Sequence, residues 1–288
     1  MSSPSPSSFP IVTLSYHELV KFANEDLDDD HRKQLIQKIG QAYGASGKCL
    51  GLLAVIDIPD FDAKRQALLP LAPKLATYMS KDDNDDDPLI RPDTMYSVGW
   101  SHGKEQLQSG QADYSKGSFY ANPLTNDIIA SILQREQNNH PQSSQSQDWA
   151  TKVAAQYPEF YAPNVWPRKE PTLSSLEQAF CDMGQLVVNV GRLVAKVCDA
   201  YYQQEGGIGS QPLQLEDTLT RSLNAKGRLL HYFSNTSNYE TKKLRDANED
   251  EKKESAENSD KKPSNNMWCG WHNDHGTLTR GQEYQMWE

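Results

Sequence analysis

The 288-residue sequence has few cysteines, no long apolar run and no excess of basic residues. Its four cysteines stand far apart without a C-x-x-C pair, so neither a disulfide framework nor a zinc knuckle is predicted. No apolar run approaches the roughly 20 residues that cross a bilayer. The formal net charge of −10 opposes nonspecific binding to nucleic acid, which requires a basic surface. We therefore expect no membrane anchor, no nucleic-acid partner and a reducing, cytoplasmic setting.

Three polar segments are predicted to be unfolded. Residues 1–10 are rich in Ser and Pro and lack the basic start and apolar core of a secretory signal, so they indicate a disordered tail. Residues 82–87 form an acidic run that ends at a proline. Residues 234–266 mix Ser, Asn, Glu and Lys with almost no apolar residues, and this composition predicts a disordered polar insertion.

Helices are expected over much of residues 11–233. The clearest prediction is a long helix at residues 174–204, because apolar side chains recur there every three or four positions over about eight turns. Residues 28–43 and 214–225 also favour helices. A helix over residues 61–79 must be broken or kinked by its two prolines.

Two segments are predicted to be strands. Residues 49–56 form a continuous apolar run of strand length, which is typical of a strand buried on both faces. Residues 228–233 favour a second strand. Together with the helices, these strands predict a mixed α/β (α+β) chain.

A histidine and an aspartate lie two positions apart near the end of the sequence. On a β-strand, His272 and Asp274 point to the same face, because successive side chains alternate between faces. One imidazole and one carboxylate are two of the three ligands of a 2-His-1-carboxylate iron site. His275, one position further, is expected on the opposite face. A surface strand that carries His and Asp by chance is the alternative.

Five segments stand out along the sequence, at residues 99–105, 117–123, 163–167, 226–233 and 268–279. In this order they resemble the 2-oxoglutarate- and Fe(II)-dependent dioxygenases, in the branch similar to isopenicillin N synthase. The order and rough spacing of the five match that family.

The resemblance implies a fold and a chemistry. The implied fold is a helical N-terminal region, over residues 11–233, followed by a double-stranded β-helix, or jelly roll, that begins at residues 267–288. The implied cofactor is Fe(II), the cosubstrate is 2-oxoglutarate, and the substrate is a small molecule. The family's second ligand histidine and its cosubstrate arginine are not found after Thr279. We therefore expect a truncated member of the family with an incomplete jelly roll.

Further site roles follow from the resemblance and from position along the chain. His231 is a candidate for a hydrogen bond behind the metal ligands, although a structural histidine with satisfied hydrogen bonds is the commoner role. Trp271 adjoins the ligand pair and could border a substrate, although packing in a core is the simplest role for such a tryptophan. Tyr232 resembles a position near the cosubstrate pocket, although packing in a core is the commoner role for such an aromatic. Arg228 is interpreted as a solvated surface residue, and Trp100 as a packing aromatic.

Two classes of function remain open at this point. The first is a 2-oxoglutarate- and Fe(II)-dependent oxygenase that acts on a small molecule. The second is a non-catalytic binding or scaffold protein derived from such an enzyme, which the missing ligand favours. Formation of succinate from 2-oxoglutarate by the folded protein separates the two.

Overall fold

A computed structural model describes residues 10–45, 49–81, 87–105, 112–139, 145–204 and 214–233. These residues form a mixture of helices and strands, which confirms the predicted mixed α/β class. The predicted tail, the polar insertion and the start of the jelly roll lie outside the described residues, apart from Pro10, the last residue of the tail. Among the described residues, no helix is both long and apolar enough to cross a membrane.

Helices and strands follow one another irregularly along the described chain. In order they are β1 (Val12–Ser15), α1 (Tyr16–Ala23), α2 (Asp29–Tyr43), β2 (Leu53–Ile56), α3 (Phe61–Leu68), α4 (Leu71–Lys81), β3 (Gly99–His102), β4 (Lys116–Ala121), α5 (Ile128–Asn139), α6 (Gln145–Gln156), α7 (Pro158–Tyr161), α8 (Leu176–Gln204), α9 (Leu215–Arg221) and β5 (Gly227–Tyr232). Single 3-10 turns lie at Pro92–Thr94 and Pro171–Leu173.

The chain divides into two compact units. The first contains the described parts of residues 1–66 and 179–225, and the second contains those of residues 67–178 and 226–279. The predicted region 11–233 therefore includes described parts of both units.

The first unit has a helical core beside a two-stranded sheet. Helix α2 begins after Asp28, whose carboxylate accepts a hydrogen bond from the His31 N–H at 2.9 Å and so caps the helix. Helices α2 and α8 approach closely at Gly40, where a β-carbon would lie 2.7 Å from the Tyr201 ring. The buried apolar side chains come from β1, α1, α2 and α8 and are Leu14, Leu19, Phe22, Leu35, Ile36, Ile39, Val194 and Val197.

Strand β2 differs from the prediction for residues 49–56 in both its length and its burial. The strand covers only Leu53–Ile56 and pairs in parallel with β1. Leu53 and Val55 pack against the core, but Leu52 and Ile56 are 46% and 48% exposed. The prediction of two buried faces is therefore wrong for the described residues, because helices cover one face of this two-stranded sheet and leave the other open.

The second unit is built around an antiparallel sheet in the order β3-β4-β5. Helix α4 lies against β5. The predicted helix over residues 61–79 is divided between α3 and α4 at Pro70, as its prolines require. The long helix is confirmed at Leu176–Gln204, whereas α9 is shorter than its predicted range of 214–225.

Candidate functional site

The predicted metal ligands, His272 and Asp274, lie outside the described residues, as does Trp271. The other two candidates, His231 and Tyr232, are the last residues of β5. The second unit contains all four of the described segments that carry the family resemblance.

Three of these four segments are neighbouring strands of one sheet. Residues 99–105 begin with β3, residues 117–123 contain most of β4, and residues 226–233 contain β5. Strand β4 pairs with both β3 and β5. Residues 117–123 therefore hold residues 99–105 and 226–233 in register. Segments far apart in the sequence are thereby brought into one small region.

The fourth segment, residues 163–167, is held against the end of β4 by Asn164. The Asn164 Oδ1 atom accepts a hydrogen bond from the Asn122 N–H at 2.8 Å, and its Nδ2 group donates to the Asn122 carbonyl at 2.8 Å. The same Nδ2 group also donates to Asn126 Oδ1 at 3.0 Å and to the Thr125 carbonyl at 3.2 Å. Trp166 Nε1 donates to Asn126 Oδ1 at 2.8 Å. One amide side chain thus joins two segments of the resemblance.

Two glycines in these segments are required by close packing. A β-carbon at Gly117 would collide with the ring of Trp100, which is 5% exposed. Gly99 has a φ of +77°, and a β-carbon there would collide with the Leu89 carbonyl and lie 2.8 Å from Val165 Cγ2. The predicted packing role of Trp100 is confirmed, and both glycines have structural reasons for their presence.

One face of the sheet carries two histidines. His102, Gly117 and His231 are paired in a single row across the three strands, so their side chains share a face. The Phe233 ring contacts both histidines, with ring centroids 4.9 Å from His102 and 4.8 Å from His231. His102 Nε2 donates a hydrogen bond to the Tyr114 carbonyl at 3.1 Å, which fixes the orientation of that imidazole.

His231 is a half-buried imidazole beside Phe233. Burial lowers its pKa, because desolvation disfavours the charged form. Since its ordinary pKa is already about 6.5, the ring is neutral at pH 7 and retains a nitrogen lone pair. A neutral imidazole of this kind can accept a hydrogen bond or bind a metal.

Tyr232 points to the opposite face from His231, because the two are adjacent residues of one strand. Its register partner is Lys116, and its face also carries Ser118 and Arg228. A pocket on one face of this sheet can therefore use His231 or Tyr232, but not both.

The face that carries Lys116 holds a network of charges around Glu105. The Glu105 carboxylate accepts hydrogen bonds from Arg228 Nη2 at 2.6 Å, from Lys116 Nζ at 2.9 Å and from the Tyr120 hydroxyl at 3.3 Å. Asp113 lies 3.3 Å from Lys116 Nζ on its other side. Arg228 also donates to Ser118 Oγ at 2.8 Å and 3.1 Å.

The network keeps its members charged. Burial alone would raise the pKa of Glu105, but the nearby Lys116 and Arg228 outweigh it and hold that pKa below its ordinary value. Burial alone would lower the pKa of Lys116, but Glu105 and Asp113 outweigh it and raise that pKa. The carboxylate and the ammonium group are therefore both ionised at neutral pH.

Most of this network has no local signal in the sequence. Arg228 is an exposed residue, as predicted, but its guanidinium group is also paired with Glu105. The two residues are 123 positions apart, so no local pattern could connect them. Only the register of β4 and β5 brings their side chains together.

The described residues do not form a metal site by themselves. Within this part of the chain, no group of three or more His, Cys, Asp or Glu side chains could hold a metal ion. The fit to Fe(II) therefore rests on the donor chemistry of His272 and Asp274, whose imidazole and carboxylate are both ordinary iron ligands.

Comparisons of the chain with models of protein families, with curated proteins and with solved structures give no match.

Proposed function

We propose that this protein is a 2-oxoglutarate- and Fe(II)-dependent oxygenase that acts on a small molecule. The observation that carries the proposal is the assembly of four of the five resembling segments in the second unit. Three of the segments pair as strands, and Asn164 joins the fourth to them. This arrangement supports a common structural purpose for segments that are scattered along the sequence.

In this proposal, His272 and Asp274 hold Fe(II) through an imidazole nitrogen and a carboxylate oxygen. The bound iron and 2-oxoglutarate supply the oxidising chemistry. His231 is neutral at pH 7, and its role is to orient a group at the site through a hydrogen bond without adding positive charge. Trp271 borders the substrate, and Tyr232 contacts the cosubstrate only if the pocket lies on its own face of β5.

The proposal is tested by metal binding and turnover together. Purified protein is dialysed anaerobically against Fe(II), and bound iron is measured by mass spectrometry. Succinate is then measured after addition of 2-oxoglutarate and oxygen. We expect bound iron and succinate in the wild-type protein, and loss of both in His272→Ala and Asp274→Ala.

His275→Ala is the matched control, because it removes a neighbouring imidazole that is expected on the opposite face if these residues form a strand. This variant should retain iron and succinate formation. A folded wild-type protein that binds no iron and forms no succinate would refute the oxygenase proposal and favour the non-catalytic binding or scaffold protein.

A further inference from the structure

The three donors around Glu105 form a preorganised receptor. Lys116 and Tyr120 lie four residues apart on β4, and Arg228 is the register partner of Tyr120 on β5. All three therefore point from the same face of a hydrogen-bonded sheet. Glu105 instead lies after the end of β3, outside any strand. The three donors are therefore held by paired strands, whereas the carboxylate that they bind is not.

The arginine in this receptor is held in place by its neighbours. Ser118, which is 2% exposed, accepts hydrogen bonds from Nε and Nη2 of Arg228. The Arg228 guanidinium also lies over the Tyr120 ring, 5.2 Å from its centroid. These contacts reduce the freedom that the guanidinium loses when it binds a carboxylate.

Both oxygens of the Glu105 carboxylate are used by the receptor. Oε1 accepts from Arg228 and Tyr120, and Oε2 accepts from Lys116. Such charge-assisted bonds to a planar carboxylate are stronger than bonds between neutral groups. The Glu105 side chain is 41% exposed, whereas that of Lys116 is 15% exposed, so the site opens to solvent from the Glu105 side.

We infer that Lys116, Tyr120 and Arg228 form a binding site for a small carboxylate, which the chain's own Glu105 occupies in this structure. Removal of the Glu105 side chain leaves two cations beside the single carboxylate of Asp113. A free carboxylate that enters from solvent restores both the charge balance and the three hydrogen bonds. This site does not depend on iron or on the proposed oxygenase activity.

The experiment is rescue of Glu105→Ala by acetate, followed by thermal unfolding. At about 100 mM sodium acetate, compared with sodium chloride of equal ionic strength, we expect the Tm of this variant to rise by about 4 °C. The wild-type protein should show no such difference, because its tethered Glu105 competes at a high effective concentration. Glu105→Gln should also show none, since the glutamine side chain fills the site.

Glu177→Ala is the matched control. Glu177 pairs with Arg168, whose side chain is 73% exposed, and with the Asn126 amide, without a receptor of several donors on one sheet. Acetate should leave the Tm of this variant unchanged. An equal rise in Glu177→Ala, or an equal effect of chloride in Glu105→Ala, would overturn the inference.

Two further results keep the test decisive. If Glu105→Ala is unfolded in chloride, its refolding from urea in acetate becomes the measurement. Failure of this variant to refold in either salt overturns the inference.

Addition of Arg228→Met to Glu105→Ala should abolish the acetate response, because the donor that makes the shortest bond to the Glu105 carboxylate, at 2.6 Å, is lost. Persistence of the response in the double variant would show that acetate acts elsewhere.

Discussion

Replacement of Asn164 by alanine tests whether one amide side chain holds residues 163–167 against the end of β4. The wild-type side chain makes four hydrogen bonds, with donor–acceptor distances between 2.8 Å and 3.2 Å. Three of these bonds are to backbone groups of Asn122 and Thr125. Alanine leaves those backbone groups without this partner.

The expected loss of stability is about 2–3 kcal/mol. A single hydrogen bond contributes a net ~0.5–1.5 kcal/mol, and a buried group left unpaired costs ~1–3 kcal/mol. Because Asn164 is half-buried, water can reach part of the vacated space, and the full sum of four bonds is not expected. A loss of this size corresponds to a fall in Tm of roughly 4–12 °C.

Urea unfolding followed by tryptophan fluorescence measures this loss, because Trp166 is bonded to Asn126 in the same network. Asn164→Asp supplies a sharper comparison. The aspartate keeps an acceptor for the Asn122 N–H. Its second carboxylate oxygen, however, takes the place of the Nδ2 group and faces the three oxygens to which that group donates, so at pH 7 this variant should be at least as destabilising as alanine. Asn224→Ala, at an exposed side chain without such bonds, should be neutral. A loss below about 0.5 kcal/mol in Asn164→Ala would refute the reasoning.

Three further predictions concern packing and titration. Gly117→Ala should lower stability by about 1–3 kcal/mol in urea unfolding, and a second change, Trp100→Leu, should cost less in that background than in the wild type because it relieves the collision. The lowered pKa of His231 means that the unfolded chain binds more protons than the folded chain, so the free energy of unfolding should fall as pH drops below about 6.5. His231→Phe should remove this pH dependence. An NMR titration that gives an ordinary pKa for His231 would contradict the prediction. Burial, with Asp199 nearby, raises the pKa of the Cys198 thiol to about 11, so alkylation of Cys198 at pH 8 should be about 100-fold slower than that of a free thiol until the protein unfolds.

Sequence patterns were sufficient where one local signal determined the element. The regular apolar spacing of residues 174–204 predicted a long helix, and α8 covers almost the same range. The acidic start of residues 28–43 predicted α2, which Asp28 caps through its side chain. Such patterns succeed because helix periodicity and capping depend only on residues a few positions apart.

Contacts between distant segments were outside the reach of these patterns. Glu105 meets Lys116 and Arg228 only because β3, β4 and β5 pair in one particular register. A shift of that register by a single residue would send Arg228 to the opposite face. The placement of His231 and Tyr232 on different faces follows from strand alternation, but the neighbours that each face provides could not be foreseen.

Strand β2 shows why composition alone was misleading. A continuous apolar run is expected to be buried on both faces when other layers cover its sheet. In the described residues, β2 has one paired strand, β1, and a helical core on one side. Ile56 in β2 remains 48% exposed for this reason, and Leu50 and Leu52, which precede the strand, are 44% and 46% exposed. An apolar run therefore shows that a strand is able to be buried on both faces. Whether both faces are buried depends on which other helices and strands pack against them.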